Sequence, residues 1–285
     1  MRKFTLLSLI TVIIFSLSLI FNSCNNGQNN NEKNQNTETQ NSFTDSKGKS
    51  TVYTKYNLPL PVEIAKLLKE KDIEFRTDLM NPTENADRYF TDLRRTINLG
   101  FYSSDLAYCT IYDKGQESVD YFSVSIELAR DLDITKGYNE NVLDRTYDNL
   151  NNNDSLSYIA AEAYWVTCRY LEKNNKINIL PYIIIGSWLE SLYIFANIIE
   201  NDLPDTALYK EFYNQLAYTD SIINYLFEVM ADSNAFLINE EIQGIINQLK
   251  PIQENYKQLQ DNEINKNMLM PSVELVKKLR LHYIE

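Results

Sequence analysis

Hydrophobic positions divide this chain into three stretches of different character. Residues 4–21 form an apolar run interrupted only by Thr and Ser. Residues 25–42 contain no aliphatic or aromatic side chain at all. From about Tyr56 onward, apolar residues recur every three or four positions, which is the period of an amphipathic helix. Only residues 50–55 carry a trace of the two-residue alternation that a strand would need. The pattern therefore predicts an all-α domain over residues 56–285.

Prolines, glycines and short polar residues punctuate that domain. Pro61 opens a helix over 62–71, and Thr83 leads another through Arg88, Phe90 and Ile97 to a stop at Gly100. Gly100 suits the left-handed position after a helix end, and Ser103-Ser104-Asp105 supplies the next N-cap. That helix runs to Asp113 and Gly115. Residues 116–132 align Val119, Phe122, Ile126 and Ala129 on one face, and further helices are predicted over 139–150 and, capped by Asp154, over 155–172. Pro181 begins the most hydrophobic segment, 182–200, where Ile183, Trp188, Leu192 and Phe195 point to different sides. A helix apolar all round belongs at the centre of a fold. Residues 205–230 form the next, with a break near Tyr218-Thr219-Asp220; 234–250 stops at Pro251, and Pro271 opens 272–284. Short connections predict a single domain of antiparallel helical hairpins, arranged as a bundle or as a stack of helix pairs. No repeat signature supports the stack.

The first two stretches give an address. Arg2 and Lys3 precede the apolar run, and Phe21-Asn22-Ser23-Cys24 closes it at the border with the polar tract. A positive start, an apolar core and a small residue before the cut form an export signal over 1–23. Phe21, Ser23 and Cys24 resemble a lipobox, in which diacylglycerol is attached to the cysteine. Phe21 and Asn22 depart from the commoner Leu and small residue. An uncleaved anchor is the other reading of the apolar run, and both readings export the helical domain. Residues 24–55 then read as a lipidated cysteine and a disordered Asn/Gln-rich tether, because such a composition buries too little to offset its ordering entropy. A coil of that length reaches about 30 Å. It lacks a dense acidic cluster after the cysteine, which favours an outer-membrane, periplasm-facing location. The membrane is thus the expected partner, through the lipid, together with an envelope protein.

Composition removes several function classes. Hydrophobic residues make up 44% of the chain, enough for a sizeable core. Lys and Arg total 27 against 39 Asp and Glu, for a net charge of −12, which argues against nucleic acid as a partner. The one histidine, His282, leaves no His-based triad or metal set. Gly-rich phosphate loops are missing, and 151–162 fails as a calcium loop because Leu156 stands where Gly is needed. No catalytic residue, metal or cofactor is implied, although paired carboxylates keep a cell-wall glycosidase open. Cys109 and Cys168 fit either a disulfide, which export permits, or two separate buried thiols.

Two segments stand out: 98–108, Asn-Leu-Gly-Phe-Tyr-Ser-Ser-Asp-Leu-Ala-Tyr, and 186–193, Gly-Ser-Trp-Leu-Glu-Ser-Leu-Tyr. They resemble segments of a family of all-helical lipoproteins from Bacteroidetes-type bacteria, a likeness that would cover most of the chain after the tether. It implies an address and a fold class, and no activity. Within the segments, Glu190 is the one acidic or basic side chain (Asp, Glu, Lys, Arg or His) between Pro181 and Ile199. A carboxylate there must find a partner or hold a proton. Arg94, Arg95, Arg145 and Arg169 are the available cations on earlier helices. Glu190 and Asp105 then either line a ligand-binding pocket or serve in structural ion pairing. The expected function is a cell-envelope lipoprotein with a non-catalytic binding or scaffold role; small-ligand or glycan binding and a carboxylate-based glycosidase are the alternatives.

Overall fold

The helical period predicted along the chain appears as eleven α-helices, with no strand among the described residues. The computed structural model describes residues 50–137, 142–149, 151–174, 176, 179–201, 205–232, 236–259 and 264–285, all within one unit, Asn41–Glu285. The helices are α1 (Thr51–Tyr56), α2 (Glu63–Glu70), α3 (Asp92–Ile111), α4 (Gly115–Asp131) and α5 (Val142–Asp148). They continue as α6 (Asn153–Lys173), α7 (Leu180–Asn201), α8 (Thr206–Leu216), α9 (Tyr218–Asp232), α10 (Phe236–Gln258) and α11 (Lys266–Ile284). Two 3-10 turns, Thr77–Leu79 and Thr83–Arg88, fill the connection between α2 and α3. The chain is thus an all-α single domain.

At its centre α3 lies against α7, and this is the most extensive helix–helix contact in the fold. α4 folds back on α3 and α10 on α9, as hairpins between neighbours in sequence, while α11 returns from the end of the chain to cover both α7 and α3. Nineteen residues of α7 are buried, so this helix, long and apolar enough to cross a bilayer, is the core helix predicted for it.

Two glycines set the α3–α7 distance. A Cβ on Gly100 would stand 2.4 Å from the Ile183 carbonyl oxygen, and one on Gly186 would stand 2.0 Å from that of Ile97. Both are backbone atoms that cannot swing aside. Gly100 therefore does not end a helix as its sequence context suggests. α3 runs unbroken through it, and no glycine among the described residues has a positive φ. The close approach offsets the penalty of about 1 kcal/mol for glycine inside a helix. The Ser103-Ser104-Asp105 cap is corrected with it: Ser103 donates back to Leu99 O at 2.7 Å, and Ser104 pairs with Ser191 of α7 at 2.7 Å. The two segments that stood out in the sequence are thus the two sides of one crossing.

Other boundaries moved for local reasons. α3 starts at Asp92, capped by the Thr91 side chain, while Thr83–Arg88 is a separate 3-10 turn that leaves Phe90 78% exposed. Asn152 rather than Asp154 caps α6, accepting from Ser155 N, so the helix starts at Asn153 rather than at 155. Pro251 lies inside α10 instead of ending it. The buried stripe Ile242, Ile245, Ile246, Leu249 and Ile252 holds the helix together across the missing hydrogen bond. Pro271 likewise falls inside α11, whose cap is Asn265. Residues 50–55 are not a strand: they belong to Ser50 and α1, which reach back into the expected tether. Ser50 and the Val52 amide both donate to Glu172 of α6, and Tyr53 hydrogen-bonds Tyr164. Cys109 and Cys168 are separate buried thiols, the first resting 3.6 Å from Met80 Sδ. The signal, Cys24 and the rest of the tether lie outside the described residues.

Candidate functional site

Asp105 and Glu190 sit in a buried polar cluster beside the α3–α7 crossing, each with no solvent exposure. Glu190 projects from the middle of α7, where a lone charge would face several kcal/mol of desolvation. Its partner is Arg280 of α11, bound as a fork: Nε donates to Oε2 at 2.9 Å and Nη2 to Oε1 at 2.8 Å. This corrects the expectation of an arginine from an earlier helix. Arg94 instead donates to the carbonyls of His282 and Tyr283, Arg95 faces Asp92 and Asp131, and Arg145 pairs with Glu162. The Arg280 guanidinium carbon also lies 4.4 Å from the Tyr193 ring centroid, a cation–π contact that further fixes the fork. Burial works to lower the pKa of Arg280, but the Glu190 charge and its hydrogen bonds hold it above its ordinary value.

Asp105 has no such partner. Its Oδ2 accepts the Asn81 amide at 3.0 Å, while Oδ1 is buried with no hydrogen bond among the described residues. Burial, and then repulsion from Glu190, push its carboxyl well above the usual carboxylate range, against the opposing pull of Arg280. Asp105 and Glu190 thus feel one another in the same cluster, yet they play opposite parts. One is a charge neutralised by a cation, and the other is a carboxyl driven towards its neutral form.

Asn81, on the connection between the two 3-10 turns, ties the cluster together. Its side-chain amide donates to Tyr89 OH at 3.0 Å and to Asn98 Oδ1 at 3.2 Å, and its Oδ1 accepts from Asn85 at 2.8 Å. Asn98 in turn donates to Tyr283 O of α11 at 2.9 Å. From α4, Tyr121 OH donates to Asn81 O at 3.0 Å, and Tyr102 OH of α3 donates to Pro82 O at 2.9 Å. Buried hydrogen bonds linked in this way rigidify their surroundings, and each member becomes costly to orphan.

Sequence reasoning found Asp105 and Glu190 but missed Arg280, Asn81 and the tyrosines. Arg280 had a signal. Val273, Val276, Arg280 and Tyr283 fall at three- and four-residue spacing and are all buried, so an arginine occupies a core position of α11. Asn81 had none, because its partners come from α3, α4 and a 3-10 turn that only the fold brings together.

Two cavities bear on ligand binding. A void of about 20 Å³ between α3, α4, α6 and α7, lined by Phe122, Ala163, Thr167 and Cys168 among others, has room for one water-sized molecule. An open groove of about 430 Å³ lies over Lys71, Asp72, Glu74, Arg76, Ile198, Asp205 and Leu208. Neither is lined by Asp105 or Glu190. The described residues contain no group of three or more His, Cys, Asp and Glu side chains that could hold a metal ion. No family model, curated protein or solved structure matches the chain.

Proposed function

We propose that this chain is a cell-envelope lipoprotein, exported under the signal over 1–23 and acylated at Cys24. The tether holds its helical body at the outer membrane, facing the periplasm. The body serves as a binding or scaffold module for an envelope protein and does no chemistry of its own. The observation that carries this reading is Cys24 at the border between the apolar run and the polar tract. The resemblance of 98–108 and 186–193 to helical lipoproteins of Bacteroidetes-type bacteria supports the address. Enclosure of both candidate carboxylates, one of them neutralised by Arg280, supports a role exercised through the surface.

The test is the mass of the N-terminal peptide from membrane-extracted protein. Acyl chains on a peptide starting at Cys24 are expected, and Cys24→Ala should abolish them. Wild-type protein still starting at Met1 would overturn the reading. The groove beside Lys71 and Arg76 favours a second reading, small-ligand or glycan binding. Its volume falls within the range of about 300–1,000 Å³ usual for such sites, and it is lined by charges of both signs, Lys71 and Arg76 with Asp72, Glu74 and Asp205.

A further inference from the structure

Residues 76–91 form a strap built from the two 3-10 turns and their connections, bonded to side chains of α3 and resting also on α4 and α7. It is held from beneath. Arg76 N donates to Tyr108 OH at 3.0 Å, Tyr121 and Tyr102 donate to the carbonyls of Asn81 and Pro82, and its own Leu79, Met80 and Tyr89 are buried. Among these polar anchors Asp105, which accepts the Asn81 amide, is the one acidic group.

Asp105 is also the anchor whose position is unsatisfied in either protonation state. A proton on buried Oδ1 finds no acceptor, and a charge there finds no donor. Among the described residues no cation hydrogen-bonds it; Nε and Nη2 of Arg280 both point to Glu190. The groups around it are Glu190 from α7, Arg280 from α11, Tyr121 from α4, and Tyr102, Tyr108 and Cys109 on its own helix. Glu117 and Asp120 of α4 lie further out, towards Cys109. The strap contributes Arg76 and Asp78, which pair with one another, and Glu84 near Tyr121. The tyrosines and the thiol stay neutral, since burial raises each of them; Tyr108 reaches about 12. Ionised Asp105 would therefore share one arginine with Glu190 and leave the cluster with an uncompensated buried charge.

We propose that the strap is a pH-gated lid: loss of the Asp105 proton to solvent lifts residues 76–91 from α3 and opens the Asn81–Asp105–Glu190 cluster to water. The strap is the element whose release hydrates that charge at least cost, because α3, α4 and α7 are locked by extensive packing while the strap carries only three buried apolar side chains. The upward displacement of the Asp105 carboxyl by burial and by Glu190 supports the same direction. The lid stays shut in mild acid and opens as pH rises.

Hydrogen exchange of the full chain, followed by mass spectrometry from mildly acidic to mildly alkaline buffer and corrected for intrinsic rates, tests this. Opening of the peptide over 76–91 should rise by up to about tenfold per pH unit once Asp105 titrates, with α7 still protected. Asp105→Asn should flatten that rise. Tyr121→Phe, which removes only a neutral anchor, should speed exchange at every pH and keep the slope. A wild-type strap with no pH-dependent opening, or the same slope in Asp105→Asn, overturns the proposal. Should Asp105→Asn not fold, infrared spectra of wild type labelled at aspartate serve instead. A protonated-carboxyl band that persists above the range in which free aspartate ionises supports the lid, and its absence there overturns it.

Discussion

The α3–α7 crossing and the strap over α3 are neighbours, but opposite physics holds them. At the crossing, two glycines bring backbones into contact and the hydroxyls of Ser104 and Ser191 satisfy one another between the helices. Under the strap, asparagines, tyrosines and carboxyls are buried, and each depends on a partner from another element. The first region tolerates no added volume, and the second tolerates no lost partner. Mutations should therefore fail in the two regions by different mechanisms.

The largest effect is expected at the crossing. Gly186→Ala places a methyl group 2.0 Å from the Ile97 carbonyl oxygen, so α3 and α7 must separate. We expect a loss of about 4 kcal/mol or more, the range reserved for disrupted cores, read as a drop in denaturation midpoint or as failure to fold. A loss below about 1 kcal/mol would mean the helices can slide apart freely, and the comparison would break at its first term.

Next comes the ion pair. Arg280→Met leaves Glu190 charged and buried, at a cost of about 3–5 kcal/mol. Glu190→Gln in the same background should recover much of that loss, because the orphaned charge is gone while the volume remains. The coupling energy from the double-mutant cycle is the measurement. Additive losses would show that Arg280 serves through its packing on Tyr193 instead.

The same contrast explains how far these regions were legible in the sequence. Periodicity reports burial of apolar side chains, so it disclosed the all-α class and α7 as the core helix. The two segments singled out for their likeness to helical lipoproteins turn out to hold both halves of the crossing, but Gly100 reads in sequence as a stop. The same residue serves a helix end or a close contact, and only the partner helix decides which. The strap was misread as part of a helix because Thr83–Arg88 has helical spacing. Its Asn81 anchor meets Asp105, Asn98 and Tyr121, side chains of α3 and α4 distant from it along the chain. Glu190 was visible as an isolated charge in an apolar helix, and its partner was sought on the wrong side in sequence, although the buried stripe of α11 contained it.

Asp105 sharpens the strap side of the comparison, with an effect that should change with pH. Its folded-state pKa is raised above the unfolded one, so its contribution to stability is complete below the unfolded value and is lost as pH rises through the folded value. Asp105→Asn keeps an acceptor for the Asn81 amide and removes the titration. Relative to wild type, the variant should therefore gain stability with rising pH, by at most about 1.4 kcal/mol per unit within that window. Thermal unfolding of both proteins across that range is the measurement. A constant difference between them would mean that Asp105 binds its proton equally in the folded and the unfolded chain.

The smallest effect completes the contrast from outside both regions. Gly244 lies within α10, exposed, and a Cβ built there meets nothing within 4 Å. Its backbone is ordinary helix, since no described glycine has a positive φ. Alanine at this position therefore adds no clash and removes only the conformational freedom glycine has in the unfolded chain. Gly244→Ala should stabilise the protein by about 0.5–1 kcal/mol, visible as a small rise in melting temperature. The substitution at Gly186 is chemically identical and should act with the opposite sign and several times the size. If Gly244→Ala destabilised as well, the crossing glycines would lose their special standing, and helix-interior glycine in this fold would need another explanation than backbone contact.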